Sequence, residues 1–421
     1  MEQRSRSFAG WRITAAAFFT LGLTVGVPYY NLPFFYDYFQ RGHGWSRAEI
    51  TLGFPVAAVL TIWIGPLVIH RYSARRLILA GSALTAASFA GFAAMGDALN
   101  IYYLLWIVYT LGYMLSGPIP HQLIISNWFR RNRGKAMGII YAGLGLMGSI
   151  GSLAVKPLTE NFGYKTALVV VGASALLAWP VAIWVFRDKP AELSQFPDGD
   201  PRPPAEARIP SHSFAELLVS VSFWLLLIGT FCVIGAVGAI NFHLKFVLLD
   251  EGFEKGPAAD AAWRSASVLI LWSSIAGRLL AGTLADLFPK KLVMAATFAL
   301  VAATVPVLLL VSPSRQGSLY VFSVLFGFAL GGDYMLIPLM AAEQFGVNSL
   351  ARAMAIIFPV NTIGQTWLPY LVSILRDRYG SYSIAMGAVL AIALAGAISI
   401  AILPRNTTGD LLWQRKISAS S

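Results

Sequence analysis

Arg278 stands inside residues 265–288, SASVLILWSSIAGRLLAGTLADLF, a run otherwise almost free of charge until Asp286. The run is long enough to cross a bilayer as a helix. A guanidinium cannot shed its proton, so holding it at depth costs about 2.5–3.5 kcal/mol or more. A partner carboxylate, a water-filled cavity or an anionic ligand must offset that cost. The planar fork of donors fits two carboxylate oxygens in a way that lysine does not match. The plainer reading is an ion pair that holds two helices together.

Asp333, in Leu330-Gly331-Gly332-Asp333-Tyr334-Met335-Leu336-Ile337-Pro338, is the other charge at mid-span. Its glycines and proline suggest an irregular helix lining a cavity. A carboxyl there can bind and release a proton, or act as counter-ion to Arg278; a permanent salt bridge is the structural alternative. His243, towards the far end of its span, titrates in a useful range and can donate to an anion. His121, between Pro120 and Gln122, is a weaker candidate of the same kind. Tyr29 and Asn31 can reach a ligand from the first span, whereas Phe34 to Tyr36 read as an interfacial aromatic belt. Asn361 and Gln365 are four apart and share a helix face, lining a cavity or bonding between helices.

The elements that must position these groups are membrane helices. Hydrophobic residues make up 57% of the 421-residue chain and charged residues 12%, against about a quarter charged in soluble domains. Apolar runs place twelve spans near 12–36, 46–69, 76–96, 99–127, 135–158, 164–187, 219–249, 264–288, 291–312, 317–345, 350–375 and 382–404. With both termini on one side, that side carries 20 Lys and Arg and the opposite loops eight. The bias places both termini in the cytoplasm and explains the net charge of +11 without nucleic acid. The Pro- and charge-rich stretch RDKPAELSQFPDGDPRPPAEARIPSHS cannot bury a core and reads as a linker. The expected organisation is a six-helix bundle over 1–187, a cytoplasmic linker over 188–218, and a second bundle with a cytoplasmic tail over 219–421. The one cysteine, Cys232, excludes an internal disulfide or thiolate cluster.

Gly282-Thr283-Leu284-Ala285-Asp286-Leu287-Phe288-Pro289-Lys290-Lys291 follows span 8, and an eroded copy, Gly65 to Arg76, follows span 2. These segments resemble the major facilitator superfamily signature G-x-L-A-D-[RK]-x-G-[RK]-[RK]. Leu287 and Pro289 depart from it in the second copy; in the first, His70 stands where the Asp belongs and Ser73 where a Gly belongs. A cytoplasmic gate is implied for Gly282, Asp286 and Lys290, with Arg71 and Arg75 in the first half. Asn127-Trp128-Phe129-Arg130-Arg131-Asn132-Arg133-Gly134-Lys135-Ala136-Met137-Gly138, Gly44-Trp45-Ser46-Arg47, Phe162-Gly163-Tyr164-Lys165 and Gly277-Arg278 are similar to motifs of the monocarboxylate transporter and oxalate/formate antiporter families. In those families the span 8 arginine contacts the substrate carboxylate. Tyr29 stands about where some members carry a lysine, and Ser274 where animal members carry an acid, which keeps Ser274 as a candidate contact.

Gly143-Leu144-Gly145-Leu146-Met147-Gly148 satisfies G-x-G-x-x-G, but it lies within a membrane helix, so close helix packing explains it better than a dinucleotide. No Walker, H-E-x-x-H or G-x-S-x-G motif and no cysteine pair occurs in the sequence, so neither enzyme activity nor a cofactor or metal is expected. The resemblance implies an all-α membrane protein of twelve helices in two six-helix bundles, a bacterial inner-membrane carrier working as a monomer. Its expected activity is proton symport of a small organic anion, a monocarboxylate foremost, with carboxylate exchange or a non-transporting sensor as the alternatives.

Overall fold

The structure is a computed structural model. It describes residues 8–61, 68–201, 212–254 and 257–404, without the side chains of residues 47, 48, 257 and 260. The end of the expected second span, part of the linker and the tail lie outside the described residues. Gly65 to Leu67 of the first signature copy lie there too.

Among the described residues every regular element is helical. The helices are α1 Gly10–His43, α2 Glu49–Thr61, α3 Ala74–Ala94, α4 Leu99–Trp128, α5 Arg133–Phe162 and α6 Tyr164–Trp184. They continue as α7 Val221–Asp250, α8 Pro257–Leu287, α9 Lys290–Leu309, α10 Gln316–Phe345, α11 Val347–Tyr379 and α12 Tyr382–Ala401. All but α2 and α11 are long and apolar enough to cross a membrane. The described part of α2 is short, and α11 carries Arg352, Arg376, Asp377 and Arg378.

Local chemistry fixes where helices stop and bend. The α5–α6 turn uses Gly163 at φ 82° and the α11–α12 turn uses Gly380 at φ 72°, a backbone region that suits glycine. The Ser73 hydroxyl accepts the Arg76 N–H and starts α3. The expected fourth span is broken at Gly117, because Pro118 disfavours helical backbone in the residue before it. In α1 the backbone widens into a π turn at Gly22–Gly26 and tightens at Leu32–Phe35, beside Pro28 and Pro33.

The chain forms two compact units: Met1–Pro210 with Leu350–Ile356, and Ser211–Ser349 with Ile357–Ser421. In the first unit α1 and α5 touch backbone to backbone. A Cβ on Gly143 would lie 2.3 Å from the Phe18 carbonyl oxygen, and one on Gly148 would lie 2.5 Å from the Tyr30 ring. In the second unit the same device joins α8 to α10 and α7 to α11.

The segment read from its composition as a loose linker is, over its first half, built into the first unit. Trp128 Nε1 donates to the Arg187 carbonyl at 2.8 Å and Asn127 Nδ2 to that of Asp188 at 3.0 Å. The Asp198 carboxylate accepts the N–H groups of Arg130 and Arg131 at 2.8 Å and of Asn132 at 3.3 Å. Arg131 pairs with Asp200, and Gln195 Oε1 accepts the Ala9 N–H at 3.0 Å. Composition asks whether a segment can bury its own core. This one instead satisfies backbone donors left open at the start of α5.

Asp188 does the same at the start of α3, where its Oδ1 accepts the Arg75 N–H at 3.1 Å. Burial pushes the Asp188 carboxyl above its usual range, against the opposing pull of that N–H and the Ser73 hydroxyl. A folded value above the unfolded one gives stability that is complete below the unfolded value and is lost as pH rises through the folded value. Asp188→Asn should therefore flatten the decline in melting temperature as pH rises above the ordinary carboxylate value of about 4. Asp198→Ala should cost about 1–2 kcal/mol, with Asp198→Asn in between. Unchanged melting and unchanged trypsin cleavage at Arg187 would show that the segment does not brace the unit.

Candidate functional site

The site is set by how closely α8 and α10 approach. A Cβ on Gly331 would lie 2.2 Å from the Ser274 carbonyl oxygen, on Gly277 2.4 Å from that of Phe328, and on Gly327 2.7 Å from that of Ile270. Arg278 follows Gly277 on α8, and Asp333 lies two residues beyond Gly331 on α10. Both are buried, at 6% and 1% exposure. The two charges interact through space, yet no direct ion pair joins them. Arg278 Nη1 and Asp333 Oδ2 have no hydrogen-bond partner. Asp333 Oδ1 accepts the N–H of Tyr334 at 2.5 Å.

Neighbouring helices add polar groups. The Tyr334 hydroxyl donates to Gln365 Oε1 of α11 at 3.1 Å. Thr230 of α7 donates to Asn361 Oδ1 at 3.0 Å, which leaves the buried Asn361 Nδ2 unpartnered. Close packing of α7 on α11 fixes this pair, since a Cβ on Gly238 would lie 2.4 Å from the Gln365 carbonyl oxygen. Pro338 has no N–H to offer the Tyr334 carbonyl one turn back, which loosens α10 beside Asp333.

Most of the remaining candidates already have hydrogen-bond partners within their own unit. His243 is buried, with Nε2 2.9 Å from the Pro369 carbonyl oxygen and Nδ1 3.1 Å from the Tyr382 hydroxyl. A carbonyl only accepts, so Nε2 carries the proton and Nδ1 takes the tyrosine O–H; the ring ties α7, α11 and α12 together. His121 is engaged at both nitrogens as well, 2.8 Å from the Gly117 carbonyl oxygen and 2.8 Å from the Thr20 hydroxyl. Asn31 Nδ2 donates to the Val27 and Gly148 carbonyls at 2.8 and 3.2 Å, clamping α1 to α5. Ser274 donates to the Leu271 carbonyl at 2.8 Å, within its own helix. Tyr29 is half-buried, with its ring 5.8 Å from Phe54 and 5.6 Å from Tyr113.

At the signature loops, Lys290 pairs with Glu343 of α10 at 2.7 Å, while buried Gly282 and half-buried Asp286 lie in the last turns of α8. Arg71 is exposed and Arg75 half-buried against Asp188. Glu343, Asp188 and Asp198 were missed by the motif comparison, since none lies in a signature. An acid near the end of an otherwise apolar span was the available signal for Glu343. Thr230 and Tyr334 carry no such mark in sequence.

Residues 118–279 match the family model described as Major Facilitator Superfamily. Human monocarboxylate transporter 11 is 26% identical over 417 residues, covering 94% of this chain and 83% of its own length. Monocarboxylate transporter 13 of Bos taurus is 25% identical over 412 residues, covering 94% and 89%. An MFS-type efflux pump of Mycolicibacterium smegmatis is 25% identical over 314 residues, covering 72% and 70%. Among solved structures, the E. coli fucose:proton symporter FucP aligns with a TM-score of 0.70 at 14% identity, over 95% of this chain and 100% of that one. That likeness shows the major facilitator fold. In sequence the chain resembles transporters of that superfamily. Within that class it is related to the monocarboxylate transporters.

Because the α8–α10 crossing is lined by backbone, Gly331→Ala has no flexible neighbour to displace and must push the helices apart. It should cost about 1–3 kcal/mol, read as a lower melting temperature. Gly387→Ala, where a Cβ meets nothing within 4 Å, is the matched control. Equal melting of the two variants would mean the crossing does not depend on the missing side chain.

Proposed function

We propose that the protein carries a small carboxylate together with a proton, by alternating access, with Arg278 holding the anion and Asp333 the proton. The observation that carries this reading is the pair of open valences, Arg278 Nη1 and Asp333 Oδ2, on buried groups that sense each other without bonding. An unmade hydrogen bond on a buried group costs about 1–3 kcal/mol, more when the group is charged. Leaving two open at one crossing suits a site whose partners arrive with the cargo.

In this reading a proton taken up at Asp333 cancels its hold on the guanidinium. The carboxylate then meets Arg278, and the loaded site is electrically closer to neutral. Proton and anion moving together avoid a penalty of about 2.3 kcal/mol per 100 mV for a lone charge. Asn361 Nδ2 is a further donor within the same unit, whereas His243 serves the scaffold, so Asp333 is the better proton carrier. The Lys and Arg bias supports cytoplasmic termini, and each chain carries its own Arg278 and Asp333, which suits a monomer.

Liposomes containing purified protein test the scheme with labelled lactate as probe. An imposed inward proton gradient should drive uptake into vesicles free of internal carboxylate. Arg278→Gln should remove uptake and exchange alike, by at least tenfold. Asp333→Asn should remove gradient-driven uptake while retaining exchange. Uptake that demands internal carboxylate at every pH would replace symport with exchange. Full activity of Arg278→Gln would overturn the site.

A further inference from the structure

A second place in the molecule, within the first unit, is furnished for an anion. At the end of α1 remote from the N-terminus, and wholly within the first unit, a cavity of about 530 Å³ opens between α1 and the start of α2. That size falls in the range of small-molecule sites, roughly 300–1,000 Å³. Pro33, Phe34 and Ile50 supply apolar walls, and Tyr36, Tyr38, Gln40 and Arg41 line it with donors. Among the described residues, neither the Arg41 guanidinium, the Gln40 side-chain amide nor the hydroxyls of Tyr36 and Tyr38 make a hydrogen bond or ion pair within the chain. Asp37 and Thr51, which also line the cavity, each make an interaction of their own.

The balance of the lining is therefore a free cation, several free donors and flat apolar faces. The Tyr38 ring is held in place by stacking on Tyr164, with centroids 5.3 Å apart and planes at 20°, and by Phe34 at 5.9 Å. Rigid rings lose little freedom when they cover a ligand. A guanidinium beside them recognises a carboxylate or phosphate in a forked, directional manner. The local helix is irregular here, since the tightened turn Leu32–Phe35 ends where the cavity begins.

We infer that this cavity is a binding site for an anionic headgroup, carboxylate or phosphate, attached to an apolar body, with Arg41 as its charge anchor. Two sources share that chemistry: a free organic acid, and an anionic phospholipid whose headgroup settles at the membrane surface. The site does not require Arg278, so the two readings stand or fall separately.

The experiment uses the full chain in phosphatidylcholine nanodiscs, titrated calorimetrically with benzoate. Arg41→Gln should weaken benzoate binding at this site by at least tenfold, and Tyr38→Ala should weaken it severalfold. Arg278→Gln should leave it in place. Repeating the titration in discs containing phosphatidylglycerol separates the sources. Loss of benzoate binding in those discs, with phosphatidylglycerol retention by the protein abolished in Arg41→Gln, identifies the lipid. Unchanged benzoate binding identifies the free acid. The proposal is overturned if Arg41→Gln alters neither benzoate binding nor phosphatidylglycerol retention, or if all benzoate binding vanishes in Arg278→Gln.

Discussion

The constraint on which the rest turns is a cation that cannot be neutralised, held where water is scarce. Arg278 must be compensated by something within reach, and α8 alone offers nothing: the residue one turn earlier, Ser274, spends its hydroxyl on its own helix. The acid that senses its charge, Asp333, lies on α10, which Gly277, Gly327 and Gly331 bring into backbone contact with α8. A side chain at any of these positions would add distance between Arg278 and Asp333, and Coulomb attraction in a low-dielectric interior falls quickly in absolute terms with each added ångström.

Placing acid and base on different helices has a mechanical consequence. Two charges on one helix keep a fixed separation whatever the bundle does. Two charges on neighbouring helices change separation when the helices slide or tilt, so their mutual hold can vary between conformations. Pro338 removes a hydrogen bond just beyond Asp333 and lowers the resistance of α10 to bending there. The surrounding contacts are of the opposite character. Thr230 to Asn361, Tyr334 to Gln365 and the His243 bridge to Pro369 and Tyr382 are fully directional ties that hold α7, α10, α11 and α12 in register.

Much of this was legible in the sequence. Hydropathy located the helices, because a bilayer demands about twenty apolar residues in a row and few other structures do. The same logic singled out Arg278 and Asp333, since charge in such a run needs a reason. What escaped was anything decided by partners rather than by residue type. His243 and His121 have the right chemistry for a proton or an anion, but a carbonyl and a hydroxyl occupy both nitrogens of each. Asn31 looked like a ligand contact and is a helix clamp. The segment after α6 looked unstructured because it lacks apolar residues, yet its acids find backbone donors that no periodicity analysis counts.

That segment also bears on the eroded signature of the first half. Where the superfamily pattern has an aspartate, this chain has His70, and the start of α3 would lack an acid. Asp188, arriving from the far side of α6, accepts the Arg75 N–H there, and Asp198 takes the corresponding place at the start of α5. In the second half the charge tie runs instead between Lys290 and Glu343, directly from α9 to α10. The two halves thus reach similar ends by different means: one fastens its helix starts with a strap threaded from the next segment, the other with an ion pair between adjacent helices.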